Sequence, residues 1–244
     1  MSLRWFPVAV ILGLSLGAAA QELTVSEAIV PVAGSIQGLG GVVWSTDVAL
    51  HNFLPYDVDV VVSLVGGPDD PFIMSTIPAG GTLTFPDLPR QTFGVFGRLS
   101  PLRVQTLAAS SVTVAAVVHG LTENGATEPE VLTVQYGRLR PMLQTIPSLM
   151  VGDQFRTNVG IVNPSETEAT VVLALQTVPG RSIAVVTRTI PPLTHIQLPL
   201  DTIFPLLTKG ENVSLVVEHT NPEAYVYASV IANATHNARY YGPR

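Results

Sequence analysis

The nine residues Trp44 to Asn52, WSTDVALHN, return later in the chain as Phe155 to Asn163, FRTNVGIVN. In the first copy Trp44, Thr46, Val48 and Leu50 fall on one side of an extended chain, and Ser45, Asp47, Ala49 and His51 on the other. This period-two alternation predicts a strand with one face buried. The second copy repeats the inward series as Phe155, Thr157, Val159 and Ile161, and Asn163 repeats Asn52. Its outward series differs, with Asn158 in place of Asp47 and Val162 in place of His51. The shared positions are expected to build the module. Asp47 and His51 are the candidates for binding that belongs to the first copy alone.

The two copies of this stretch are 111 residues apart, and working outward further matches follow in the same order. Ile77-Pro78 returns as Ile190-Pro191, Leu83 and Phe85 as Ile196 and Leu198, and the turn after Pro86 as the turn after Pro199. Residues 112–120 return as 225–233, and Tyr136-Gly137 as Tyr241-Gly242. Order kept over a whole unit marks an internal repeat. It predicts two modules of about 110 residues, an ordinary domain size, at 28–138 and 139–244.

Within the first module, Val58, Val60, Val62 and Leu64 alternate as a second strand, expected to pair with the strand at 44–52. Gly38, Gly40 and Gly41 supply a tight turn. A phosphate loop is excluded there, because the glycines lead into a strand and no Gly-Lys-Ser/Thr follows. Pro86 and Pro89 limit residues 87–97 to a helical turn or crossover. Seven or so short strands, with turn signals every roughly 8 to 12 residues, predict an all-β fold of two immunoglobulin-like β-sandwich domains. Trp44 is assigned to the core.

Composition agrees, with 47% hydrophobic residues, 12% charged, and 20 each of Gly and Pro. That balance suits a packed β protein with many turns and excludes disorder. Arg4, the run WFPVAVILGLSLG and then Ala18, Ala19 and Ala20 form the charged, apolar and small-residue regions of a secretory signal peptide over 1–20. Cleavage is expected near Ala20, with 21–27 a polar spacer. The run is shorter than the roughly 20 residues that cross a bilayer, so the mature chain is expected in the periplasm or outside the cell with no transmembrane segment. The chain has no Cys, which excludes a lipid anchor on Cys, a thiol nucleophile, a thiolate metal site and disulfides. A formal charge of −6 excludes a nucleic-acid surface. The pairs Arg98 with Arg103 and Arg138 with Arg140 are expected to be solvated strand residues.

The run W-S-T-D-V-A-L-H-N, followed by I-P-A-G-G-T-L-T-F-P-D, L-R-V-Q and V-T-V-A-A-V-V-H-G, resembles the tandem immunoglobulin-like β-sandwich modules of bacterial exported and surface proteins. The resemblance covers essentially the mature chain. It implies adhesion, spacer, filament or accessory roles and names no ligand.

Local spacing points to no catalytic group. His51, His119, His195, His219 and His236 form no metal-binding pattern, and no Ser lies in G-x-S-x-G. Asp69 and Asp70, in a Gly-Pro loop, are the candidates for calcium. Glu123, Glu128, Glu130, Glu166 and Glu168 are expected as solubilising charges, and Asn212 and Asn233 begin glycosylation sequons. The expected function is a non-catalytic exported structural or binding protein without cofactor. Its partners would be a protein or surface glycan, or further copies meeting through strand edges. The alternatives are a periplasmic pilus-type chaperone that donates an edge strand and, more remotely, a β-sandwich hydrolase.

Overall fold

A computed structural model describes residues 26–66, 69–106, 112–137, 142–177, 181–207 and 212–242. The leader at 1–20, spacer residues 21–25 and the joining residues 138–141 lie outside the described residues. The first module runs β1 (Ser26–Gln37), β2 (Val43–Asn52), β3 (Val58–Leu64), β4 (Phe72–Ile77), β5 (Thr82–Phe85), a wide helical turn (Leu88–Thr92), β6 (Arg98–Thr106) and β7 (Val112–Thr122). Short strands β8 (Gly125–Ala126), β9 (Glu130–Val131) and β10 (Gln135–Tyr136) finish it. The second runs β11 (Leu143–Met150), β12 (Phe155–Asn163), β13 (Ala169–Thr177), β14 (Ser182–Ile190), β15 (Thr194–Pro199), α1 (Leu200–Ile203), β16 (Asn212–His219), β17 (Tyr225–Ala232) and β18 (Ala238–Tyr241).

Both modules are two-sheet, antiparallel β structures with one apolar core between the sheets. In the first, the order β4-β3-β6-β1 faces β5-β2-β7-β9; in the second, β14-β13-β16-β11 faces β15-β12-β17-β18. The strand orders therefore repeat as the sequence does. In an immunoglobulin sandwich the first strand joins the sheet of the second and fifth, and the last joins the sheet of the third and sixth. Here β1 pairs along β6, and β7 pairs along β2. The terminal strands have changed sheets, although β1 still touches β2 at Ile36 and Gln37.

Two expectations are corrected. Strands β2 and β3 do not pair: β2 bonds to β1, β5 and β7, while β3 bonds to β4 and β6. Their inward residues, Val48 and Leu50 against Val60 and Val62, meet across the core instead, because residues 53–57 cross between the sheets. Nor do Tyr136 and Tyr241 occupy equal places. Tyr136 pairs with Ala28 of β1, whereas Tyr241 pairs with Ala228 of β17.

The shared residues of the repeated stretch hold the same positions by the same bonds. Asn52 is fully buried, and its Nδ2 donates to the carbonyls of Tyr56 (2.8 Å), Ile77 (3.2 Å) and Pro78 (3.1 Å). Asn163 is equally buried and donates to Thr167 (2.8 Å), Ile190 (3.1 Å) and Pro191 (3.0 Å). Each Oδ1 accepts the amide two residues on, from Leu54 and Ser165. A carboxamide can satisfy several groups at once, which is why one buried side chain closes the corner between the sheets. Thr46 Oγ1 bonds both N and O of Gly34, and Thr157 Oγ1 bonds both N and O of Met150. These backbone sites follow matching bulges, between Val30 and Ala33 and between Ile146 and Leu149, that contain Pro31 and Pro147. Proline has no N–H for the ladder and is at home where pairing is interrupted.

Candidate functional site between the modules

The outward face of β12 and β17 is where the second module meets the first. Tyr225, Tyr227 and Val162 are fully buried there against Ile29 of β1, with Val32 and Tyr240 packed beside them. Tyr227 stands opposite Gly160 in the ladder, and a Cβ at Gly160 would fall inside the tyrosine ring. The glycine is thus required by close approach and not by a turn. The ring of Tyr240 stacks on Tyr227 at 5.2 Å. At the same ladder positions the first module has Ala49 opposite Ala115 and His51 opposite Thr113, so Tyr225 corresponds to Thr113 and the match of 112–120 with 225–233 is corrected by one residue. The two outward faces differ because one is a docking surface and the other faces solvent.

Polar bonds cross the junction as well. His195 Nδ1 lies 3.4 Å from the Leu99 carbonyl, and its Nε2 lies 2.9 Å from the Tyr227 hydroxyl. That hydroxyl is also 2.7 Å from Gln197 Oε1, so its single proton serves one of the two. Burial lowers the His195 pKa to about 4, against a smaller raising effect of the Leu99 carbonyl. Burial likewise pushes the hydroxyls of Tyr227 and Tyr240 well up, keeping both neutral. Arg103 Nη2 donates to the Pro164 carbonyl, and its Nε sits 3.3 Å from the carboxylate of Glu27, whose side chain is only 3% exposed. Arg103 is therefore not the solvated strand residue expected. The backbone N–H of Glu128 donates to Asn237 Oδ1 (3.1 Å), and that of Tyr240 to Glu130 Oε1 (2.8 Å).

Beside this contact the modules leave a cavity of about 660 Å³, within the range of small-molecule sites. Val32, Ile36, Trp44 and Leu99 form its wall in the first module; Val151, Pro199, Tyr227 and Ile231 form its wall in the second. Trp44, assigned to the core from the sequence, is half-buried and belongs to this wall. Val48 and Leu50 of the same face fill the core instead. The glycine turn at Leu39–Gly41 lies at the rim, with Gly40 (φ 74°) and Gly41 (φ 78°) left-handed as a tight turn requires. The His236 ring occupies the space that a Cβ at Gly40 would take.

One side of the cavity is polar. Arg156 and Asn158 project from the same side of β12, and Ser229 of β17 stands opposite Asn158. Arg156 Nη1 donates to Asn233 Oδ1 (2.9 Å), and among the described residues no carboxylate pairs with the guanidinium. Burial lowers its pKa, a mark of a charge lacking compensation. The side chains of Asn158 and Ser229 have no hydrogen-bond partner among the described residues. Glu130 and Asp201 also line the cavity; Glu130 is held by the Tyr240 amide, and Asp201 is exposed on α1.

The residues singled out in the sequence lie elsewhere. His51 Nδ1 bonds Thr82 Oγ1 (2.8 Å) and its ring meets Phe53 edge-on at 4.3 Å, a cross-strand surface pair. Asp47 Oδ1 accepts the Asp87 amide (2.8 Å), and its other oxygen lies 3.7 Å from His119 Nδ1. His119 Nε2 is 2.9 Å from Ser45 Oγ, directly across the ladder. This brings Ser, His and Asp together, which the sequence could not show, since only the β2–β7 register places His119 opposite Ser45. The His–Asp separation is beyond hydrogen-bond range, the His119 and Asp47 side chains are a third or more exposed, and none of the three lines the cavity. Asp70 is ion-paired with Arg98 and Asp69 is exposed, so the calcium candidates lose a carboxylate to an internal cation. Among the described residues no three metal-ligating side chains cluster. Asn212 is exposed, whereas Asn233 Nδ2 donates to Gly152 (3.3 Å) and Asp153 (3.0 Å), and a glycan on Nδ2 would remove at least one of these bonds.

No helix among the described residues is long and apolar enough to cross a membrane. No family model and no curated protein matches the chain. Among solved structures it is similar to the Thermotoga maritima protein 1070, at 13% identity and a TM-score of 0.38, covering 43% of this chain and 94% of that one. It is also similar to a β-glucuronidase 2 of Bacteroides uniformis covalently bound to cyclophellitol-6-carboxylate aziridine, at 11% identity and a TM-score of 0.18. That match covers 82% of this chain and 25% of the glucuronidase, so the chain spans about a quarter of its length. The likenesses are distant and assign no activity.

Proposed function

We propose that the mature chain is an exported, non-catalytic binding protein of two immunoglobulin-like β-sandwich modules, docked so that the cavity between them takes a small, largely apolar ligand. The supporting observation is that cavity, whose largely apolar and aromatic walls come from both modules and on whose β12–β17 side Arg156, Asn158 and Ser229 stand together. Trp5 lies in the leader, so Trp44 on the cavity wall is the single tryptophan of the mature chain and an internal reporter. Titrating mature protein with Nile red should shift Trp44 emission saturably, and the Trp44→Phe variant should bind the dye without that signal. Dye that binds with no change at Trp44 would place any ligand elsewhere. Export is tested by the N-terminus of protein recovered from the periplasm or medium, expected near residue 21.

Donation of an edge strand is a second reading, favoured by β14. This nine-residue strand ends its sheet and exposes Ile183 and Val185, so its outer backbone groups are open to another chain. It predicts co-purification of a partner that is unstable alone.

A further inference from the structure

We infer that the ligand of the inter-module cavity is an apolar molecule carrying one carboxylate, held by Arg156, Asn158 and Ser229. This rests on the binding reading and adds to it the chemistry of the head group. An apolar wall alone selects by size and greasiness; it cannot orient a molecule. On β12 and β17 the cavity wall presents three groups that can donate. Arg156 offers a planar guanidinium with one N–H committed to Asn233, and Asn158 and Ser229 offer an amide and a hydroxyl with no internal acceptor. All three share the outward face of adjacent strands, since Arg156 and Asn158 are two apart on β12 and Ser229 faces Asn158. A carboxylate accepts several hydrogen bonds and matches the guanidinium fork. It also supplies the negative charge that a half-buried arginine lacks among the described residues.

The first module sharpens the case. At the positions of Arg156, Asn158 and Ser229 it carries Ser45, Asp47 and Val117, which give no cation and one carboxylate on a face open to water. The donor set is thus confined to the second copy, whose outward β12–β17 face borders the cavity, and is no property of the fold. Glu130 and Asp201 oppose an anion in the same cavity, which makes the sign of the ligand's charge the decisive measurement.

The test titrates the mature protein with decanoate, decanol and decylammonium at neutral pH, following Trp44 emission and heat. Decanoate should bind about tenfold or more tightly than decanol, the factor expected of one charge-assisted contact, with decylammonium the weakest. R156Q should remove that advantage and leave decanol within about twofold, while R156K should retain part of it. N158D is the second variant. It places an internal carboxylate beside Arg156 and should abolish the preference for decanoate, and urea midpoints identify any variant that has lost its fold. Equal binding of decanoate and decanol, insensitive to R156Q, overturns the carboxylate inference while leaving the cavity as an apolar site. Preference for decylammonium overturns it in favour of Glu130 and Asp201. Failure of all three probes overturns it as well, and if Nile red also leaves Trp44 unchanged, the binding reading falls with it.

Discussion

Truncating Asn52 or Asn163 to alanine removes three bonds to backbone carbonyls and the acceptor of one backbone amide at the same corner of each module, leaving Pro78 O with the Gly81 amide and Thr167 O with the Ser165 hydroxyl as their remaining donors. Unsatisfied buried groups are expensive, so each substitution should cost about 2–4 kcal/mol in urea unfolding, with the two values close together. Clearly unequal costs would mean that matching bonds do not carry matching energy. His195 sets the behaviour in acid. Above pH 6.5 both folded and unfolded forms hold a neutral ring, and there is no effect. As pH falls from about 6.5 towards 4, the unfolded chain takes up a proton that the buried ring refuses, so stability declines. The loss should approach about 3 kcal/mol and level off below pH 4. Other groups titrate in the same window, so the measurement is the difference between wild type and His195→Gln, which should flatten the curve by that amount. At this scale the repeated Thr and Asn were legible because both copies keep them. The importance of Arg156, Asn158 and Gly160 was not, since their meaning depends on what the second module's outward face touches.

Gly160 and Tyr227 form one unit of element packing. Gly160→Ala drives a methyl into the ring and should destabilise the chain by about 1–3 kcal/mol, as overpacking does. Adding Tyr227→Ala recreates the Ala49–Ala115 pair of the first module, a pairing the same strand geometry accepts. The double variant should therefore cost less than the sum of the singles, a coupling that thermal or urea unfolding of all four proteins would measure. Strand existence was legible from period-two patterning, and the helical turn near Asp87 from Pro86 and Pro89. Strand partnership was not. Alternation states which face is buried and leaves open which neighbour shares the ladder, so the β2–β3 hairpin expected from adjacency proved to be a crossing between sheets. The bulges at Pro31 and Pro147 were hidden for a related reason, because one inserted residue shifts the alternation that would reveal it.

For the whole molecule, the question is whether two like modules behave as one. Tyr225 and Tyr227 are fully buried at the junction, and each contributes up to about 5 kcal/mol by the apolar area such a side chain removes from water. That upper bound is comparable with the roughly 5–15 kcal/mol that stabilises an entire domain, so a module released from its neighbour loses a large share of its stability. The wild-type chain should accordingly unfold in one calorimetric transition, with calorimetric and van't Hoff enthalpies equal. Replacing Tyr225 by Thr and Tyr227 by Ala installs the residues that the first module carries at the same ladder positions and removes the contact without touching either core. Two separable transitions are then expected, and the saturable Trp44 response should vanish with them, because the cavity exists only while the modules are docked. A variant that still unfolds in a single step would show that docking rests on the polar crossings of Arg103, His195 and Glu130. A variant that splits yet keeps the Trp44 response would move the ligand onto one module alone.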